Sequence, residues 1–193
     1  KDSIGGIIEC VVTGMMPGVG DPVFDKLDAN LAKAIMSIGA VKGFEIGDGF
    51  AAADSTGSTN NDSFTVMDGK VVKKTNHSGG VLGGMSDGSD IIFRAAVKPT
   101  PSIASMQQTV NKSGEDISIS IKGRHDPMIV PRAVVVVEAM TALTIVDILR
   151  RGQIQCDTIG FEKEVQGGHE IVLRCDSVLN ESLLDYDMVV LSG

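Results

Sequence analysis

The apolar positions at the start of the chain change from a strand-like to a helix-like spacing. Residues 6–13 are mostly β-branched and apolar, which predicts a strand. After a loop rich in glycine and proline, apolar residues recur every three or four positions and predict an amphipathic helix over 22–38. Asp21 stands where its N-cap belongs and Gly39 where its C-cap belongs. Residues 40–46 predict the strand that follows.

Two long loops dominate the middle of the chain. Residues 47–69 are rich in Ser, Thr, Asn and Asp and predict a loop with a short strand at 63–67. Residues 75–88 predict a second loop, rich in glycine. Loops of this length are uncommon and are usually functional or mobile. Strands are predicted at 90–97, where a Lys-Pro pair ends the run, and at 117–122.

The strongest helical pattern covers residues 131–151. A proline opens it, and two arginines followed by Gly152 close it with the charges and the cap expected there. Its run of four valines is a poor helix former in isolation, because β-branched side chains lose rotamer freedom in a helix. We therefore expect burial against a sheet to stabilise this helix.

The order of these elements predicts an α+β fold, with helices packed on sheets in layers. Residues 1–152 are expected to form one unit. Residues 153–193 show only short alternating stretches, at 153–158, 170–175 and 188–191, and predict a strand-rich C-terminal extension to which we assign no role.

Composition and charge restrict the class of protein. The 193 residues are 42% hydrophobic and 22% charged, which is ordinary for a globular chain and argues against disorder. No apolar run reaches the length of a membrane-spanning helix. The 17 basic and 25 acidic residues give a net charge of −8. Because nucleic acids and anionic lipids attract basic proteins, we expect neither as a partner.

Cysteine usage predicts a reduced, cytoplasmic protein. Cys10, Cys156 and Cys175 are an odd number of thiols at wide spacing, so we expect no disulfide framework and no metal site. The start of the chain lacks the pattern of a signal peptide. The absence of tryptophan and the scarcity of other aromatic residues disfavour a base-stacking surface.

The segment 122–127, Lys-Gly-Arg-His-Asp-Pro, is the densest group of chemically active side chains. The common nucleotide-binding and hydrolase motifs are missing from the rest of the chain. Arg124 could clamp a carboxylate or phosphate, and Asp126 could move a proton. The alternative is a solvated loop that neutralises itself through local ion pairs.

Two further segments could bind an anion or could be ordinary turns. Residues 76–78, Asn-His-Ser, precede the glycine-rich loop, whose backbone amides could cradle an anion. The alternative is an ordinary turn-rich loop with His77 at the surface. Residues 98–102, Lys-Pro-Thr-Pro-Ser, combine a cation, hydroxyls and a rigid turn that could hold a phosphate, or they simply end a strand.

Taken in order, several long segments resemble the chorismate synthase family. The resemblance covers about residues 1–150 and rests on six stretches: GVGDPVFDKLDA at 18–29, MSIGAVKGFEIGDGF at 36–50, NHSGGVLGGMS at 76–86, KPTPSI at 98–103, GRHDP at 123–127, and PRAV with VEAM within 131–140.

The resemblance implies a fold, a reaction and a cofactor. The fold is a layered β-α-β sandwich, assembled as a homotetramer. The reaction is a lyase reaction of the shikimate pathway: 5-enolpyruvylshikimate 3-phosphate loses phosphate and a proton from C6 in a 1,4-anti elimination and becomes chorismate. The family requires reduced FMN without net redox change, and it is also associated with NADP.

Residue by residue, the resemblance gives Arg124 a role at the flavin and substrate anions and gives Asp126 a role in proton movement, so both are candidate catalytic residues. The remaining flavin-contacting positions implied by the family are Gly39, Ala40, Gly83, Lys98, Pro99, Thr100, Pro101 and Ser102.

The sequence also departs from the family. Met128 stands where the family usually has cysteine, and Val135 where it often has proline. The family's longer N-terminal half, with two catalytic histidines, several substrate-binding arginines and an Arg-Ser-Ser flavin segment, has no counterpart here. We therefore expect this to be the C-terminal part of such an enzyme, inactive alone. The alternatives are a non-catalytic module that binds a mononucleotide or mediates oligomerisation, and a flavin-dependent oxidoreductase.

Overall fold

A computed structural model describes residues 2–123, 125–157, 159–160, 164–166, 172–174 and 176–178. These described residues contain three helices, α1 (Leu27–Met36), α2 (Gly57–Asn60) and α3 (Val130–Arg151), with a 3-10 helix at Gly49–Asp54. The strands up to α3 are β1 (Gly6–Val12), β2 (Val41–Ile46), β3 (Phe64–Met67), β4 (Lys70–Lys73), β5 (Val81–Leu82), β6 (Met85–Ser86), β7 (Ile91–Val97), β8 (Gln107–Val110) and β9 (Asp116–Ile119). After α3 come β10 (Ile159–Gly160), β11 (Glu164–Gln166), β12 (Val172–Arg174) and β13 (Ser177–Val178).

The main sheet has three strands in the order β1-β7-β2. β7 pairs antiparallel with both neighbours, so β1 and β2 run in the same direction on either side of it. The connection from β1 to β2 contains α1 and crosses the position of β7, which makes a split β-α-β unit. Arg94 at the centre of β7 lies opposite Glu9 of β1 and Glu45 of β2.

The core forms where α1 and α3 pack on one face of this sheet. Alternate residues of β7 from Ile91 to Val97 are almost fully buried, as expected for the covered face of a strand. The largest fully buried side chains are Phe93, Leu27, Leu31, Ile35, Ile91, Ile145 and Val137. The α+β class is thus confirmed, with one sheet layer and one helix layer among the described residues.

Small two-stranded sheets project from this core. β3 pairs with β4, β5 with β6, and β8 with β9, each in antiparallel fashion. In the extension, β11 pairs with β12 antiparallel and β10 with β13 in parallel. Of the extension's predicted strands, 170–175 contains β12, whereas 153–157 is irregular and 188–191 lies outside the described residues. Within the part of the chain that is described, no helix is long and apolar enough to cross a membrane.

The prediction for the start of the first helix was wrong. The helix begins at Leu27, and Lys26 rather than Asp21 is its N-cap residue. Phe24 has φ 62°, which is incompatible with a right-handed helix, and its side chain is 94% exposed. The apolar residues Val23 and Phe24 fit the helical spacing but are exposed among the described residues.

The end of the same helix was also misplaced. The helix ends at Met36 with Ser37 as its C-cap, and the Ser37 hydroxyl donates to the Ala34 carbonyl at 2.5 Å. The left-handed residue of this turn is Ala40, with φ 71°, rather than Gly39.

Other predicted elements agree closely with the structure, but several short strands were missed, among them β5 and β6 within the predicted loop 75–88. β1, β2, β3, β7 and α3 lie within one or two residues of their predicted bounds, and Gly152 is the C-cap of α3. The strand predicted at 117–122 is shifted to Asp116–Ile119. The partners β4 and β8 were not predicted, because both are short and largely polar or exposed. The valines expected to be buried are only partly so: Val134, Val135 and Val136 are exposed.

Candidate functional site

The N-terminal segment of the chain joins two of the predicted site segments. The hydroxyl of Ser3 donates a hydrogen bond of 2.6 Å to the carbonyl of Thr100, 97 residues away. The next backbone amide, that of Ile4, donates to the carbonyl of Pro127 at 2.8 Å. The segment Lys98–Ser102 and residues 126–127 therefore both lie beside residues 3 and 4.

The turn after α1 reaches the same place. The backbone amide of Lys98 donates to the carbonyl of Ala40 at 2.9 Å, which holds the end of β7 beside the turn. Ala40 adopts a positive φ, an uncommon conformation for a residue with a Cβ atom. Gly39 is exposed, and a Cβ atom added there would meet no other atom within 4 Å. Gly39, Ala40 and the 98–102 segment thus form one surface.

Gly83 lies elsewhere. It forms the turn of the β5–β6 hairpin with Gly84, both with positive φ, as a tight two-residue turn requires. The carbonyl of Gly84 accepts a hydrogen bond from the amide of Leu27, the first residue of α1. Ala40 follows the other end of that helix, about 15 Å away for ten residues. A single ligand contacting Gly83 and Lys98 of one chain would have to span the helix.

Asp126 already has a cationic partner. Its carboxylate forms an ion pair with Arg132, in the first turn of α3. Asp126 is partly buried, whereas Arg132 is 79% exposed. The ring of the neighbouring His125 lies 3.3 Å from the carbonyl of Ile121. Arg124, the other candidate catalytic residue, lies outside the described residues. The ion pair agrees with the alternative interpretation of residues 122–127, in which the charges of the loop are neutralised by local ion pairs.

Thr100 has a polar side-chain atom that forms no hydrogen bond with the described residues. Its hydroxyl oxygen is buried and has no hydrogen-bond partner, the one such side-chain atom found among the described residues. A buried hydroxyl without a partner costs free energy, so it usually marks a place where a water or a ligand binds. It lies in the surface formed by Gly39, Ala40 and residues 98–102.

The first backbone amides of the glycine-rich loop are already bound within the chain. The backbone amides of His77 and Ser78 both donate to the carboxylate of Asp62, at 2.8 and 3.0 Å. The amide of Gly80 donates to the side chain of Asn76. At His77 and Ser78, the place of an anion is therefore taken by the carboxylate of Asp62 of the same chain. His77 is bound to Asp48 at 2.7 Å and is only partly exposed.

A buried ion cluster next to this loop was missed by sequence reasoning. The ammonium of Lys73 contacts Asp62 at 3.1 Å, Asp87 at 2.7 Å and the Ser78 hydroxyl at 2.6 Å. The side chains of Lys73, Asp62 and Asp87 are only 2%, 6% and 8% exposed. Nothing in the local pattern distinguishes these residues from other charged loop residues, so no sequence signal could have found them.

The cluster holds both carboxylates in their charged form. Burial by itself raises the pKa of Asp62, but hydrogen bonds from the Ser78 amide, the Thr75 hydroxyl and the His77 amide, together with Lys73, outweigh it and hold that pKa well below its usual range. For Asp87, burial is likewise outweighed, first by the hydrogen bond from Lys73 and then by Ser89, so its pKa is also lowered. The described residues contain no group of three or more His, Cys, Asp or Glu side chains that could hold a metal ion.

Known proteins similar to this chain agree on one family. The family model described as chorismate synthase matches residues 1–149. Over 148 residues the chain is 78% identical to the chorismate synthase of Lachnospira eligens, covering 77% of this chain and 40% of that protein. Over 160 residues it is 59% identical to the chorismate synthase of Methanosarcina barkeri, covering 82% and 44%.

A solved structure gives the same answer. A crystal structure of chorismate synthase superimposes with a TM-score of 0.63 at 32% identity, covering 78% of this chain and 38% of that one. The chain spans about two fifths of the length of the relatives it matches. The match at 78% identity and the extent of the family model establish the conclusion: this chain belongs to the chorismate synthase family.

Proposed function

We propose that residues 1–149 form part of a chorismate synthase, which converts 5-enolpyruvylshikimate 3-phosphate into chorismate and phosphate. The reaction is a 1,4-anti elimination, in which the C–O bond to phosphate and a C–H bond at C6 break and a new double bond forms. Family membership supports this reaction. The observation on the structure that carries it is the surface on which Gly39, Ala40 and residues 98–102 meet, beside Asp126.

This surface fits a phosphate-bearing flavin. The buried hydroxyl of Thr100 lacks a partner, the side chain of Lys98 supplies an exposed positive charge, and the backbone at Gly39 is open to a close approach. We therefore propose that these residues hold reduced FMN, together with Pro99, Pro101 and Ser102. When bound, the flavin supplies electron density to the substrate as phosphate leaves. Gly83 would have to contact a more distant part of the ligand, or the flavin of another subunit.

The chain's own catalytic contribution is proposed for Asp126 and Arg124. The carboxylate of Asp126 would take up or pass on a proton near the flavin, and Arg124 would bind the anions of flavin and substrate. In the structure Asp126 is paired with Arg132, on the exposed first turn of α3. Proton transfer would require this pair to loosen, and the high exposure of Arg132 makes its side chain free to swing into solvent.

The rest of the enzyme belongs to the proposal as well. The relatives are about two and a half times as long as the segment matched here, so the missing length must complete the site. We propose a cytoplasmic homotetramer for the complete enzyme and no catalytic activity for the 193-residue chain alone. Its proposed ligands are the phosphorylated substrate and the flavin, and neither nucleic acid nor a membrane is a proposed partner.

Two other functions are alternatives to the lyase. A non-catalytic module that binds a mononucleotide or mediates oligomerisation would use the same surface and would need no further polypeptide. A flavin-dependent oxidoreductase would also bind FMN, but it would consume an electron acceptor and turn over its flavin stoichiometrically. Nothing in the described residues favours either over the lyase.

Anaerobic titration with reduced FMN separates the lyase from the module. Two proteins are compared: the 193-residue chain, and a chimera in which residues 1–149 replace the matching segment of the L. eligens enzyme. The proposal predicts tight binding by the chimera and binding at least 100-fold weaker by the chain alone. Equal affinity of the two proteins would support the self-sufficient module instead.

A further inference from the structure

Arg132 is a cation at a place where a helix disfavours one. It lies in the first turn of α3, which begins at Val130. The unpaired backbone amides give the start of a helix a partial positive charge, so an acidic side chain is stabilising there and a basic one is destabilising. The first turn of α3 contains no acidic residue that would offset the charge of Arg132. The helix by itself therefore gives no reason for an arginine at this position.

The contact that Arg132 makes is with the carboxylate of Asp126. Its side chain is 79% exposed, so it contributes little to packing, and its Nη1 donates a hydrogen bond to Oδ2 of Asp126. An exposed ion pair adds little to stability, because the side chains lose freedom when they pair and water screens their charges. Neither packing nor the strength of the pair accounts for Arg132, which leaves its effect on the orientation of Asp126.

The backbone next to Asp126 is fixed at the proposed flavin surface. The carbonyl of Pro127 accepts a hydrogen bond from the amide of Ile4 at 2.8 Å. The neighbouring residue Ser3 donates to the carbonyl of Thr100 at 2.6 Å, which joins the same place to the 98–102 segment. These bonds hold the main chain but leave the Asp126 side chain free to rotate about its own bonds.

We propose that Arg132 is a positioning residue, which holds the Asp126 carboxylate in one orientation until that carboxylate takes up a proton. This inference rests on the proposed function. Arg132 binds Oδ2, so a proton released in the elimination would add to Oδ1, the oxygen that this arginine does not hold. The neutral carboxyl then no longer attracts the guanidinium, and the exposed Arg132 side chain moves into water. When the proton leaves Oδ1, the charge returns and the pair forms again. Arg132 keeps its own proton throughout.

Kinetics of the L. eligens chimera test this role. Arg132→Ala should lower kcat about 10-fold, because a catalytic group that is not held in place loses part of its effect. The KM for 5-enolpyruvylshikimate 3-phosphate and the Kd for reduced FMN should change by less than about 2-fold, since the carboxylate acts on the reaction and not on binding. Arg132→Lys should recover part of the loss, because an ammonium group can still pair with the carboxylate.

The control is Lys33→Ala, which removes an exposed cation of α1 and changes the net charge by the same amount. This variant should leave kcat unchanged. If Arg132→Ala and Lys33→Ala have the same kcat, the proposal is overturned.

A double variant shows whether Arg132 acts through Asp126. On the Asp126→Asn background, Arg132→Ala should lower kcat no further, because the effects of residues that act as a unit are not additive. A further fall in kcat overturns the proposal. If Asp126→Asn alone leaves kcat unchanged, the proposed proton transfer is wrong and the role of Arg132 fails with it. If Asp126→Asn lowers kcat and Arg132→Ala does not, the proton transfer stands and only the positioning role is overturned.

Urea denaturation of the 193-residue chain separates positioning from a structural role without any measurement of activity. Asp126→Asn should lower the midpoint, because it leaves the cation of Arg132 uncompensated at the start of α3. Arg132→Ala removes that cation together with the pair, so the midpoint should stay the same or rise. If Arg132→Ala lowers the midpoint as much as Asp126→Asn does, the pair is a structural contact and the proposal is overturned.

Discussion

The ammonium nitrogen of Lys73 lies 2.7 Å from a carboxylate oxygen of Asp87, and both side chains are almost fully buried. The same ammonium contacts Asp62, so one lysine neutralises two carboxylates. Lys73 ends the β3–β4 hairpin and Asp87 follows β6, which means that this contact fastens the hairpin to the glycine-rich loop. An isolated two-stranded hairpin is only marginally stable in water, so the contact is needed to hold it in place.

Lys73→Met should therefore destabilise the chain strongly. The substitution leaves two buried carboxylates without their cation, a change that costs about 3 kcal/mol or more in the free energy of unfolding. Lys74→Met, at the exposed neighbouring position, should change it by less than about 0.5 kcal/mol. Urea denaturation of the two variants measures both quantities. An equal, small effect of both would show that the buried cluster does not stabilise the fold.

The same cluster predicts the direction of acid unfolding. The pKa values of Asp62 and Asp87 are lowered in the folded chain, so their contribution to stability is fully present above the unfolded value near 4 and is lost as the pH falls below it. The free energy of unfolding should fall steeply below about pH 4. Asp62→Asn should flatten this slope while lowering stability at pH 7. A slope that is the same in both proteins would argue against the pKa assignment.

Thr100→Val should weaken flavin binding in the chimera. The substitution keeps the shape of the side chain but removes the buried hydroxyl that has no partner within the chain. If that hydroxyl bonds to FMN, the dissociation constant for reduced FMN should rise about 5- to 10-fold. Thr109→Val on β8, an exposed position, is the control. Tighter or unchanged binding by Thr100→Val would remove this hydroxyl from the proposed flavin site.

Asp126→Asn tests the proposed proton transfer. In the chimera, loss of the carboxylate should lower kcat about 100-fold, within the range for a group that moves a proton in the rate-limiting step. Asp116→Asn, on exposed β9, should leave kcat unchanged. A drop in stability with unchanged kcat would assign Asp126 to the structural ion pair with Arg132 alone.

The strand β7 was predicted well because its buried residues alternate as the period of a strand requires. In β7, every second residue from Ile91 to Val97 is buried, so the pattern and the packing agree. The start of α1 failed because Val23 and Phe24 continue the apolar spacing but are exposed. Spacing alone cannot say whether an apolar side chain has a neighbour to pack against.

The candidate site also has features that could be predicted from the sequence and features that could not. The resemblance implies that Gly39, Ala40 and residues 98–102 contact the flavin. The amide of Lys98 donates to the carbonyl of Ala40, so the two segments are adjacent, and their contact with a flavin stays a prediction. The role of Asp62 could not be predicted, because it depends on a loop 11 to 16 residues later folding back onto its carboxylate. Its carboxylate takes the two amides that a glycine-rich loop would otherwise offer to an anion.

Chorismate formation by the chimera is the most direct test of the proposal that residues 1–149 form a working part of a chorismate synthase. The chimera, in which these residues replace the matching segment of the L. eligens enzyme, is supplied with 5-enolpyruvylshikimate 3-phosphate and reduced FMN without oxygen. We predict chorismate and phosphate in equal amounts, at a rate within about 10-fold of the parent enzyme, which is about 1.4 kcal/mol in the activation barrier. A folded chimera that binds reduced FMN but forms no chorismate would contradict the account.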